Sequence, residues 1–262
     1  MREQKRVNTV SRLTGILLLV LGLTAPESHA RDRQCPRLGG EQPFVYAIGS
    51  STLGTSLGAL LQRDLPRSGY RFRKWAKASS GLARPDFHDW LAKIPNIIEQ
   101  WDPDVFVISL GTNDFQSLNT PDGWIRPDDT ERWIAAYTER VDRALNLASG
   151  DDRKRMVIWV GPSTFDQPRA RRMGQRIHQI VSERIRAFNG PAFHVDVYSQ
   201  ITNDRGRPQQ RFTAPGTDRR FRVYGGDRIH LTRDAVRLLM SKPIIDLLNR
   251  CREDGSSPIS QP

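Results

Sequence analysis

Cysteine is scarce in this sequence: only Cys35 and Cys251 occur, one near each end of the 262 residues. Neither sits among residues of metal-binding type, so no metal site is expected around the thiols. In an oxidising compartment such a pair reads as one disulfide tying the termini together; the alternative is two free thiols. Long hydrophobic runs are also lacking, and the one run of note, Ile16 to Leu21, is short for crossing a bilayer. Acidic residues are outnumbered, 29 against 40 Lys+Arg, for a net charge of +11. A chain this basic invites a nucleic-acid reading. Two observations weaken it: the arginines are dispersed along the sequence, and no nucleic-acid-binding motif is present. Attraction to anionic envelope polymers or membrane surfaces accounts for the charge equally well. Apolar residues make up 37% and mean hydropathy is −0.55, low but enough for one core at this length. No internal repeat and no linker divides the chain.

What is present begins at the N-terminus. Arg2, Lys5, Arg6 and Arg12 precede the apolar run, and Ser28-His29-Ala30 supplies small residues before a cut. This is the pattern of a secretory signal over residues 1–30, removed after Ala30. An uncleaved anchor is the alternative. Cleavage leaves a mature chain of net charge +9, with an extension over 31–42, a domain over 43–250 and a tail over 251–262, unstructured from Glu253.

The stretch around which the rest is arranged is Phe44-Val45-Tyr46-Ala47-Ile48-Gly49-Ser50-Ser51-Thr52-Leu53-Gly54. It reads as a buried strand, a tight turn and the start of a helix running from Leu53 to Leu65. A serine there either caps the helix or is lifted out of the sheet as a nucleophile. A charged strand over 70–76 belongs at a sheet edge. Trp90, Leu91, Ile94, Ile97, Ile98 and Trp101 mark one helix face. Val105 to Leu110 is the clearest buried strand and stops at Gly111-Thr112-Asn113-Asp114. A polar loop leads to a helix over 130–148, then a strand over 156–160, a helix striped by Met173 to Phe188, and a strand over 193–198. Residues 203–226 suit a hairpin or an ordered loop. Thr232 caps a helix through Leu239, with a break near Pro243. Strands alternating with helices predict a three-layer α/β/α sandwich on a mostly parallel, flavodoxin-like sheet of five strands.

On one edge of such a sheet fall Ser50 and Ser51, Gly81, Asn113, and Gly226-Asp227-Arg228-Ile229-His230-Leu231-Thr232. Asp and His three apart can place a carboxylate beside an imidazole, the arrangement that fixes the tautomer of a general base. Asn113 is either a turn residue or an amide donor to a developing oxyanion. These four blocks resemble the hallmark Ser, Gly, Asn and His blocks of the SGNH (GDSL-like) hydrolases. Ser80-Gly81-Leu82-Ala83-Arg84-Pro85-Asp86-Phe87 and the Asp227–His230 block are similar to a secreted bacterial branch once filed as a domain of unknown function. The resemblance spans residues 43–249. Where that family has Gly-Asp-Ser-Leu, this chain has Gly49-Ser50-Ser51-Thr52. Matching the strand end and its glycine makes Ser51 the nucleophile and Ser50 the replacement for the aspartate, with its hydroxyl turned to the turn's own backbone. The converse, Ser50 as nucleophile, is the alternative.

The resemblance implies a Ser51–His230–Asp227 triad, with an oxyanion hole from the N–H groups of Ser51 and Gly81 and the amide of Asn113. It implies no cofactor and no metal. The expected substrate is an acylated glycan, O-acetylated in the first place, or a small ester, met in the periplasm or outside a bacterial cell. No nucleic-acid partner and no stable membrane insertion after signal cleavage are expected. Arg84 and Arg222, with Arg220, are candidates for meeting an anionic group of the substrate; exposed arginines without a specific role are the other reading. A glycan O-acyltransferase and an inactive glycan-binding member are the competing functions.

Overall fold

The computed structural model describes residues 33–254 and 258–259, apart from 37, 39, 153, 154 and 215. The expected signal over residues 1–30 lies outside the described residues. In chain order the elements begin with β1 (Arg33–Gln34), β2 (Phe44–Gly49), α1 (Ser51–Gly54), α2 (Ser56–Arg67), β3 (Arg71–Ala76), α3 (Trp90–Trp101) and β4 (Val105–Ser109). A small hairpin of β5 (Leu118–Thr120) and β6 (Gly123–Ile125) then interrupts what reads in sequence as a polar loop. There follow α4 (Thr130–Ser149), β7 (Met156–Val160), α5 (Pro168–Ala187), β8 (Ala192–Val195), α6 (Tyr198–Ile201), β9 (Arg211–Thr213) and β10 (Arg220–Arg222). The chain closes with α7 (Arg233–Val236), α8 (Lys242–Asp254) and β11 (Pro258–Ile259), which pairs with β1.

The central sheet has five parallel strands in the order β3-β2-β4-β7-β8. Successive strand residues point to opposite faces, and both faces are buried. Val45, Ala47, Val105, Val107 and Ile158 join a core with α2, α7 and α8. Tyr46, Ile48, Phe106, Ile108 and Trp159 join the core under α3, α4 and α5. A sheet covered on both sides needs near-continuous apolar strands, which is what β2, β4 and β7 supply. β3 lies at the edge, where its Arg71, Arg73 and Lys74 reach solvent. The strand order reverses between β2 and β4, so a crevice opens at their carboxyl ends.

Two expectations are corrected. The strand expected over 193–198 stops at Val195, and Tyr198 opens α6 instead. No break occurs at Pro243. Proline has no N–H to return to the preceding turn, and residues Arg237–Ser241 widen into a π turn that carries α7 into α8 past it.

Cys35 and Cys251, the latter on α8, form a disulfide across 216 positions, and both residues are buried. On the chain-entropy account a loop of that length contributes about 5 kcal/mol by restricting the unfolded chain. Cys35→Ser/Cys251→Ser is therefore expected to lower the unfolding midpoint in denaturant sharply while leaving the fold. An unchanged midpoint, or two reactive thiols in the unreduced denatured chain, would remove this contribution.

Candidate active site

Ser51 is placed by the turn at the end of β2. A Cβ on Gly49 would sit 2.8 Å from the Ser109 carbonyl oxygen and 2.9 Å from Leu53 Cβ, so only glycine lets β2 approach β4 this closely. α1 starts at once, and its first N–H groups have no intrahelical partner. Ser50 is buried, its N–H donates to Ser109 O at 3.3 Å, and its hydroxyl makes no cap bond to α1. The expected turn of that hydroxyl onto the local backbone is thus not seen, and the helix-capping role is not filled by it either.

The imidazole comes from the other end of the chain. The β9–β10 hairpin runs into a loop closed by the Tyr224–Leu231 bridge and by Gly225 N–H donating to His230 O at 2.8 Å. Inside it Arg228 adopts a left-handed φ of 59°. That tight turn lets Asp227 Oδ1 accept the N–H groups of Ile229 and His230, each at 3.0 Å. Asp227 Oδ2 lies 2.6 Å from His230 Nδ1, and His230 Nε2 lies 3.1 Å from Ser51 Oγ, across 179 positions of sequence. A proton held on Nδ1 by the carboxylate leaves Nε2 free to accept the serine proton. The Ile229 N–H above all, then the imidazole and the His230 N–H, hold the Asp227 carboxyl down to about 2. Both side chains are half exposed, 50% for Asp227 and 52% for His230. The site is consequently an open rim rather than a closed pocket.

Asn113 sits in a short 3-10 turn (Thr112–Asp114) after β4. Its side-chain amide donates to Ser80 O at 3.0 Å, and its backbone carbonyl accepts from Gln116 Nε2 at 2.6 Å. Gly81, next to Ser80, is held by a neighbour of Asn113. The wholly buried Asp114 carboxylate accepts the N–H groups of Leu82 (3.1 Å) and Ala83 (2.7 Å) and the Tyr137 hydroxyl (2.9 Å). A Cβ on Gly81 would lie 2.1 Å from Asp114 Oδ1. Burial pushes the Asp114 carboxyl up, and the Ala83 and Leu82 N–H groups pull it back. Arg140 completes the clamp by donating to the Leu82 and Asn119 carbonyls. Tyr137 and Arg140 carry no site signal in the sequence, since α4 shows only an amphipathic period there. Asp114 had one: a carboxylate directly after a buried strand and wholly within the Asn113 block.

Of the candidate arginines, Arg84 is engaged by the Asp86 carboxylate at 2.7 Å and lies over the Trp124 ring. Arg220 and Arg222 are exposed on β10, and the Arg222 carbonyl accepts from Thr232 Oγ1 at 2.7 Å. Thr232 also caps α7 through Ala235 N–H, as its position before that helix predicts. Among the described residues no group of three or more His, Cys, Asp or Glu is placed to hold a metal ion.

The model of a protein family described as a protein of unknown function, DUF459, matches residues 44–244. The chain belongs to this SGNH-like family. The match takes in β2 through the start of α8, and so includes the Ser51, Gly81, Asn113 and His230 loops together. Similar solved structures include a member of the lipolytic G-D-S-L family from Veillonella parvula, at 11% identity and a TM-score of 0.51, covering 79% of this chain and 98% of that one. Another is a carbohydrate acetylesterase from Sinorhizobium meliloti, at 14% identity and a TM-score of 0.50, covering 79% and 99%. At these identities the likeness is one of fold, the three-layer sandwich of the GDSL hydrolases. No curated protein matches the chain in sequence.

Proposed function

We propose that this family member is a serine esterase that removes O-acyl groups, O-acetyl first among them, from an envelope or extracellular glycan. The observation that carries the reading is the unbroken chain of contacts Ser51 Oγ–His230 Nε2–Asp227, at 3.1 and 2.6 Å. Ser51 attacks the ester carbonyl as His230 takes its proton, and Asp227 steadies the imidazolium. The alkoxide leaves as the glycan hydroxyl, taking that proton, and water then releases the acyl group by the same route. In this reading the Ser51 and Gly81 N–H groups and the Asn113 amide supply the oxyanion hole. The half-exposed triad supports a polymer rather than a small molecule as substrate, since an open rim admits a chain that extends past it. A secreted or periplasmic location is part of the proposal, resting on the N-terminal sequence and on the disulfide. The formed triad gives no support to an inactive binder. A glycan O-acyltransferase would use the same groups with a sugar hydroxyl in place of water.

Release of acetate from an O-acetylated polysaccharide by the purified mature chain tests the reading directly; its absence, with a folded protein, would sink it. Asn113→Ala is expected to lower kcat about 10²–10³-fold with little change in KM, because its second N–H strengthens only as charge develops. Unchanged turnover would leave Asn113 as a residue that merely braces the Ser80 carbonyl.

A further inference from the structure

Folding undoes the dispersion of the arginines. A cleft of about 520 Å³ between α4 and α5 is lined by Arg126, Arg169, Arg172 and Arg176, with Ser117 and Thr130 between them. One carboxylate, Asp128, faces these four guanidinium groups. It lies 3.4 Å from Arg126, and both partners are over 70% exposed, so the pair is screened and worth little. Arg176 is held in place by the Pro127 carbonyl at 3.0 Å, by Thr130 Oγ1 at 3.1 Å and by the Trp133 ring. Arg169 and Arg172 have no hydrogen-bond or ion-pair partner among the described residues.

Arg169, Arg172 and Arg176 follow one another at helical spacing on one face of α5, where like charges repel. Arg169 stands in its first turn, at the positive end of the helix dipole, with no acidic residue there to offset it. A concave surface with this much unopposed positive charge is stabilised by an anion seated in it. Its volume falls in the range of roughly 300–1,000 Å³ usual for ligand sites.

The cleft opens on the same sheet edge as the triad. α5 follows the carboxyl end of β7, next to β4. Ser117 lies on the same short segment as Asn113, and its neighbour Gln116 is bonded to the Asn113 carbonyl. We infer that the cleft is a subsite for an anionic group of the acylated glycan, a uronate carboxylate or a phosphodiester, so that the preferred substrate is an acidic polymer. The inference rests on the esterase reading for the place of the ester, but not for the binding of the anion.

The test uses Arg169→Glu/Arg172→Glu in the full mature chain, both side chains being exposed on a long helix. With O-acetylated polyuronate, kcat/KM is expected to fall about tenfold or more through KM, as lost charge-assisted contacts require. Turnover of p-nitrophenyl acetate and of an O-acetylated neutral glycan should stay within about twofold. Calorimetry with deacetylated polyuronate adds an arm that needs no catalysis. Wild-type binding that weakens with salt and vanishes in the variant supports the subsite even if no ester is turned over. Tighter binding of a phosphodiester-linked glycan supports it too and makes phosphate the anion. Equal polyuronate binding by wild type and variant would overturn the inference, as would equal or tighter binding of a single-stranded oligonucleotide.

Discussion

Ser51→Ala is expected to lower turnover of an activated ester by about a million-fold, to the residual rate left by the oxyanion donors alone. Among the described residues Ser51 is the one whose hydroxyl is hydrogen-bonded to His230 Nε2. Ser50 and Thr52 are the adjacent hydroxyls in sequence; Ser50 is only 6% exposed, and neither is hydrogen-bonded to His230. Ser50→Ala should accordingly keep activity within about tenfold of wild type. A fluorophosphonate probe followed by peptide mapping reads the same assignment covalently, with the label expected on Ser51. Label on Ser50, or a Ser51→Ala variant that retains turnover, would reverse the assignment. Ser50→Asp, which restores the family's usual residue, puts a carboxylate into this buried position and tests whether the turn has donors for it.

The strands of the sheet were legible because burial on both faces demands unbroken apolar runs, and β2, β4 and β7 have them. The charges of β3 likewise announced an edge. The four loops of the site could be read because each ends such a strand or precedes a capped helix. Other features depend on contacts between distant residues and left no local trace. Tyr137 occupies an ordinary apolar-stripe position of α4, and only the folded chain brings its hydroxyl to Asp114. The π turn before Pro243 accommodates a residue that by itself signals a stop. Arg126 and the α5 arginines are 43 to 50 residues apart in sequence, so a dispersed pattern in one dimension became a cluster in three. The Ser50 hydroxyl was expected to replace a carboxylate's bond to the turn, and the turn is held instead by backbone contacts to Ser109 and by the demand for glycine at position 49.

Asp227→Asn should cost about 10⁴-fold in kcat while leaving the loop in place. The two backbone N–H groups at 3.0 Å still find an oxygen on the amide. The amide nitrogen then faces His230 Nδ1 and makes it the acceptor. The ring proton moves to Nε2, where it points at Ser51 Oγ, and the base can no longer take the serine proton. The pH behaviour of the wild type follows from the same contacts. With its carboxyl held at about 2, Asp227 is ionised wherever the enzyme is folded and active. The acid limb of kcat/KM should therefore fall as a single-proton step to which Asp227 does not contribute. In stability the sign is that of a depressed carboxyl. Its contribution is complete above the unfolded value of about 3.9 and is lost as pH falls through the folded value. The gap in unfolding midpoint between wild type and Asp227→Asn should thus be flat above about pH 5, narrow progressively below it, and close as pH falls through about 2. A two-proton acid limb, or an Asp227→Asn variant within about tenfold of wild type, would take Asp227 out of the proton relay and leave it as the brace of its own turn.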